Sequence, residues 1–207
     1  MRTFLALLLL AIPASAVTVD RIAAVIDRQV LTVSEVTQLV ELRFFPRTSE
    51  SEDEHRRDVL EALIAQALRL RDVERFRTQD VGPDAIEARL REMQGRFASE
   101  AEFAAAMDRA ELTLDEVRAL VKRQLQVEAY IEERFAPLVF VSPEEIEAYY
   151  RGPWSEQRRA RGLGVPPLEQ VREEVRLAAR GSHLQQEIER WTAQLRERAN
   201  VDVYAWR

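Results

Sequence analysis

The last patterned stretch of the chain, VDVY (201–204), alternates apolar and polar residues as a strand does. A lone strand leaves its backbone unpaired and needs a sheet to join. Strand-forming material elsewhere is confined to residues 22–33 and a short run near 139–141. Two β-branched runs, 22–26 and 30–33, flank Asp27-Arg28-Gln29 and predict a small hairpin feeding directly into a helix. If the terminal strand joins that hairpin, the end of the chain returns to its beginning, and residues 168–204 share one body with residues 19–150.

Between these ends the pattern is helical. Thr32 and Glu35 have capping-box spacing and open a helix expected to run to about Phe45, where Pro46 stops it. TSESEDEH (48–55) reads as an acidic loop, and His55 within it as a solvated loop residue. From 55 to about 76, Val59, Leu60, Leu63, Ile64, Ala67, Leu68 and Leu70 form an apolar stripe. Pro83 suits a first helical turn, followed by Ile86, Leu90, Met93 and Phe97 at helical spacing. Ser99 and Glu102 cap a short helix carrying Phe103 and Met107, and Thr113 and Glu116 cap a long one over 112–135. LVFV (138–141) reads as extended, and Ser142, Pro143 and Glu145 start another helix. RGPWSEQRRARGLGVP (151–166) has the Gly, Pro and Arg content of a surface connector. The final helix carries Leu168, Val171, Val175, Ala178, Leu184, Ile188, Trp191 and Leu195. Gly181 falls on that stripe and reads equally as a close backbone approach or a kink.

Chemistry-bearing patterns are sparse. The chain has no cysteine, which excludes disulfides and thiol catalysis, and only two histidines. His183 and Glu187 stand one helical turn apart, but without further ligands they read as an exposed pair rather than a metal site. No Gly-rich phosphate-binding motif occurs, so no cofactor is expected. A formal charge of −6 disfavours nucleic acid and anionic lipid as partners, and the Arg158, Arg159, Arg161 cluster reads as a solvated linker. MRTFLALLLLAIPASA (1–16) has the order of a cleaved secretory signal peptide: one positive residue, a short apolar run, then small residues. Its apolar run is too short for a membrane span, so no stable insertion is expected after its removal.

The order of VDRIAAVIDRQVLTVSEV (19–36), LEALIAQALRLRDVER (60–75), TLDEVRALVKRQLQVEAYIEERF with VFVSPEEIEAYY (113–150), PPLEQVREEVR and WTAQLRERANVDVY resembles the SurA-type periplasmic chaperones and peptidyl-prolyl isomerases. The resemblance implies a mainly α fold: a multi-helix body with an N-terminal β-hairpin joined by a C-terminal strand. In this division 17–150 is the helical chaperone segment, 151–166 a linker where the family inserts a parvulin isomerase domain, and 167–207 the returning helix and strand. So short a linker cannot hold a core, because even about 40 residues usually need staples. One departure is Asp27-Arg28-Gln29, where the family more often has an Asn- or Gly-containing turn.

What the resemblance implies is a periplasmic, ATP-independent holdase for unfolded outer-membrane-type proteins, without isomerase activity or other enzymatic function. Its clients would dock in a groove between the N-terminal helices and the returning C-terminal helix. A holdase needs exposed, adaptable apolar surface, for which Phe44, Phe45 and Trp154 are the first candidates. Met93, Phe97, Phe103 and Met107 could add a Met and aromatic patch, with core packing as the competing assignment. Rival readings are a helical adaptor for one folded envelope partner and a residual prolyl isomerase. A homodimer formed by exchanging C-terminal helices stays open.

Overall fold

The computed structural model describes residues 20–76 and 80–204. The signal-peptide assignment at 1–16 lies outside the described residues. Among those described, no helix is long and apolar enough to cross a membrane.

Strands β1 (Ile22–Ile26) and β2 (Gln29–Thr32) form an antiparallel hairpin closed by the pair Ile26 and Gln29. Asp27 takes the left-handed step of the turn, with φ 53°. Its short polar side chain tolerates that conformation and is held by the Asn200 N–H and Arg71, which is why neither Asn nor Gly is needed. Strand β3 (Val201–Val203) pairs antiparallel with β1 on its other side, giving the order β2-β1-β3. Asp27 clamps this closure: its N–H donates to the Asn200 carbonyl at 2.8 Å, and its carboxylate accepts the Asn200 N–H at 2.8 Å. The tail therefore returns to the first strand, as the isolated terminal strand requires.

Helix α1 (Val33–Glu41) begins at a full capping box, Thr32 with Glu35. It ends before Phe45 because Arg43 adopts φ 49° and the Phe44 N–H turns back to the Leu39 carbonyl at 2.9 Å. That is a Schellman stop, and it acts before Pro46 is reached. Helix α2 (Glu52–Val73) starts inside the expected acidic loop, with Ser51 as N-cap and Glu52, Asp53 and Glu54 in the first turn, where they offset the helix dipole. His55 is consequently not a solvated loop residue: it lies one turn from Val59 on the buried face and is only 5% exposed.

Helices α3 (Pro83–Gln94), α4 (Glu100–Arg109) and α5 (Leu114–Arg134) follow their expected starts, α4 capped by Ser99 and α5 by the Thr113–Glu116 box. The main core gathers Ile26, Leu31, Val36, Ile64, Leu68, Phe103 and Val117 from the sheet and helices α1, α2, α4 and α5.

LVFV does not form a strand. Ala136–Leu138 is a 3₁₀ turn, the backbone turns extended at Val139, and the three-stranded sheet does not include these residues. Helix α6 (Pro143–Tyr149) opens at the expected capping box. The stretch read as a surface connector is instead helical as far as Ala160: a π-turn at Tyr150–Trp154 runs into α7 (Ser155–Ala160). Pro153 has no N–H to give to a regular helix, and Gly152 takes the non-helical step, so the two residues bend the helix without ending it. The stop comes at Gly162, φ 70°.

Helix α8 (Leu168–Glu197) is the spine of the molecule, roughly 45 Å long at 1.5 Å per residue. Its first half packs Val171, Val175 and Ala178 against Ile146 and Trp154. Its second half packs Trp191 against Val73, Val127 and Tyr130. Gly181 lies between these contacts, exposed, with open space where a Cβ would stand, so no neighbouring backbone approaches it.

Candidate functional site

A groove of about 690 Å³ is walled by β2, α1, α2 and α5. Helix α2 builds it by being apolar on more than one face. Val59, Leu60, Ile64 and Leu68 are buried in the core, whereas Leu63, Ala67 and Leu70 are only partly covered and line the groove. Leu31 of β2 and Leu39 of α1 complete the near side of the floor, and Leu112 and Leu120 the far side.

Polar side chains ring this floor, and their commitments differ. Glu35 and Glu116 are held in capping boxes. The backbone N–H of Thr113, followed by its hydroxyl, keeps the Glu116 carboxyl below the usual carboxylate range. Arg71 pairs with Asp27, whose carboxyl is held low first by the Asn200 N–H and then by that guanidinium. Gln29, Gln38, Gln66, Glu74 and Arg123 line the groove with side chains that hold no hydrogen bond or ion pair to any described residue.

The returning helix does not form a wall of this groove. It packs on another face of α2, where Arg69 Nε donates to Thr192 Oγ1 at 2.8 Å, Trp191 Nε1 donates to Asp72 at 3.2 Å, and Arg196 pairs with Glu61 at 2.6 Å. Helix α5 takes the place expected for the C-terminal helix.

The seven aromatic and methionine candidates do not make one surface. Phe44 is 3% exposed and lines the groove, edge-to-face with half-buried Phe45 at 5.2 Å. Met93, Phe97 and Phe103 are core residues, with Phe97 and Phe103 edge-to-face at 5.3 Å, and Met107 packs half-buried against the same cluster. Arg43 covers Phe97 from outside, 4.4 Å from the ring centroid. Trp154 is 5% exposed, stacked on Tyr150 at 5.6 Å, with the Arg158 guanidinium over its ring at 4.9 Å. Its burial follows from the unexpected helix at 150–160, which turns the indole inward. The same contact removes Arg158 from a solvated cluster, leaving Arg159 and Arg161 exposed.

The two most exposed of the large apolar residues described, Leu138 at 72% and Phe140 at 81%, escaped the sequence reading. Their neighbours Ala136 and Val139 are buried and Val141 packs on the Ile146 cluster, so the run is apolar on both sides of an irregular backbone. Its continuous apolar spelling is the signal that it has no polar face. Among the described residues, no group of three His, Asp or Glu side chains is placed to hold a metal ion.

A helical body, a small three-stranded antiparallel sheet that pairs β3 with β1, and a partly apolar groove with uncommitted amides define the class: a mainly helical protein with a small antiparallel sheet. No protein-family model matches the chain, and no curated protein matches it either.

Proposed function

We propose that this protein is an exported, periplasmic holdase that shields unfolded outer-membrane-type polypeptides without ATP and without isomerase activity, as its resemblance to the SurA-type chaperones implies. The observation that carries this reading is the groove of about 690 Å³, into which the half-buried Leu63, Leu70, Leu112 and Leu120 present apolar surface. An apolar floor binds unfolded chain through many weak contacts, and release then needs no energy source. Suppression of aggregation when a urea-unfolded outer-membrane barrel protein is diluted into buffer tests the proposal. Suppression at a few-fold molar excess is expected, and undiminished aggregation overturns it.

A second reading rests on Leu138 and Phe140, whose exposure close together in sequence suits an adaptor holding one folded envelope partner. Affinity capture distinguishes the two: the adaptor recovers one stoichiometric partner that Phe140→Ser abolishes, and the holdase recovers many unfolded ones.

A further inference from the structure

The edge of the sheet that borders the groove has main-chain groups to offer. On β1, Ala23 accepts from the Tyr204 N–H and Asp27 donates to Asn200, so alternate residues turn their backbone toward β3. Ala24 and Ile26 therefore face β2, opposite Leu31 and Gln29. Val30, between them, turns its N–H and C=O away from β1 toward the open edge, and the residue is 46% exposed. The next outward N–H, that of Thr32, is already taken by the Glu35 carboxylate at 2.7 Å.

Val30 is flanked by Gln29 and Leu31, both of which line the groove. Gln29, Gln38 and Gln66 come from β2, α1 and α2, and none of their amides has a partner among the described residues. Each amide carries donors and an acceptor, the same pairing groups as a peptide unit. Charge selects little here. Glu35 and Glu116 serve helix caps, Arg71 pairs with Asp27, and the uncommitted Glu74 and Arg123 have opposite signs.

We propose that the groove reads the main chain of its client: an extended, uncharged polypeptide segment adds to the β2 edge at Val30. The glutamine amides pair its remaining peptide groups, and its alternate apolar side chains settle on the leucine floor. This rests on the holdase reading and gives it a mechanism. Recognition through peptide groups accepts many sequences, while the leucine floor asks only that apolar residues recur at strand spacing.

The test uses a fluorescent Leu-Ser repeat peptide of about ten residues and two N-methylated forms, one methylated at every leucine and one at every serine. Methylation removes the donors of one peptide edge and leaves the side chains in place. The unmodified peptide is expected to bind, and at least one methylated form to bind roughly tenfold more weakly. Equal binding of all three overturns this inference alone, and binding of none overturns it together with the holdase reading. Val30→Pro removes the edge donor at an outward position where proline is tolerated, and is expected to weaken the unmodified peptide by a similar factor. If Val30→Pro does not fold, the methylation series on the unaltered protein decides.

Discussion

At the scale of single residues, Arg43 and Glu111 occupy the same left-handed backbone position after a helix, with φ 49° and 54°, but for different reasons. Arg43 compensates for its conformation by contacts: it donates to the Arg96 carbonyl, pairs with Glu102 at 2.8 Å and covers Phe97. Glu111 makes no such side-chain contact among the described residues. Glu111→Gly should therefore stabilise the fold by roughly 0.5–1 kcal/mol in urea unfolding, because glycine adopts this position freely. Arg43→Gly should destabilise, since it gains the same freedom and loses three contacts. Asp27 predicts the acid limb of stability. Its carboxyl is held below its ordinary 3.8 by the Asn200 N–H and Arg71. A depressed folded value contributes stability that is present above the ordinary value and lost as pH falls through the folded one. Asp27→Asn keeps the turn and an acceptor for Asn200 but cannot titrate. Melting temperature followed from pH 7 into acid should fall less steeply for this variant than for the unaltered protein.

At the scale of elements, four helix starts were legible because capping is local chemistry, whereas the Ser51 cap of α2 was hidden in a stretch whose acidic spelling reads as a loop. Thr32, Ser99, Thr113 and Ser142 each accept a hydrogen bond from the backbone three residues on, as their spacing implies. Thr113→Ala should cost about 1 kcal/mol in the same unfolding measurement. The stops were less legible, because Arg43 and Glu111 in left-handed conformations carry no glycine signal. The 150–160 helix was hidden for the opposite reason: Gly152 and Pro153 spell a turn, but the π-register absorbs both. On α2 the stripe from Val59 to Leu70 was visible, although Val73, buried in the second cluster, was not part of it, and which residues face the core and which the groove depends on where β2 and α5 pack. Gly181 shows how a stripe can mislead. It shares the phase of the buried residues on α8 but falls where that helix passes between two clusters, with nothing opposite. Gly181→Ala should therefore stabilise by about 0.5–1 kcal/mol, which a raised urea midpoint with unchanged slope would show.

For the whole molecule, α8 and β3 tie the fold together. Trp191 touches Tyr130 and Phe135 with ring centroids at 5.5 and 5.2 Å, Val175 is fully buried against Trp154 and Ile146, and β3 covers one edge of β1. A chain ending at Tyr150 loses all of these at once and leaves β1 unpaired on that side. It should melt broadly and without cooperativity, and a sharp transition in calorimetry would contradict this. The groove does not depend on α8 for its walls, so the tail stabilises the body while the groove is built from β2, α1, α2 and α5. Ala67, on the groove floor, separates these two roles. The decisive measurement is the affinity for an unfolded barrel polypeptide, by fluorescence anisotropy, of the unaltered protein and of Ala67→Trp, whose indole fills the groove, with melting temperature measured alongside. An affinity weakened at least roughly tenfold by Ala67→Trp, with melting unchanged, is the expected result; equal affinity in the two proteins would contradict the groove as the binding site.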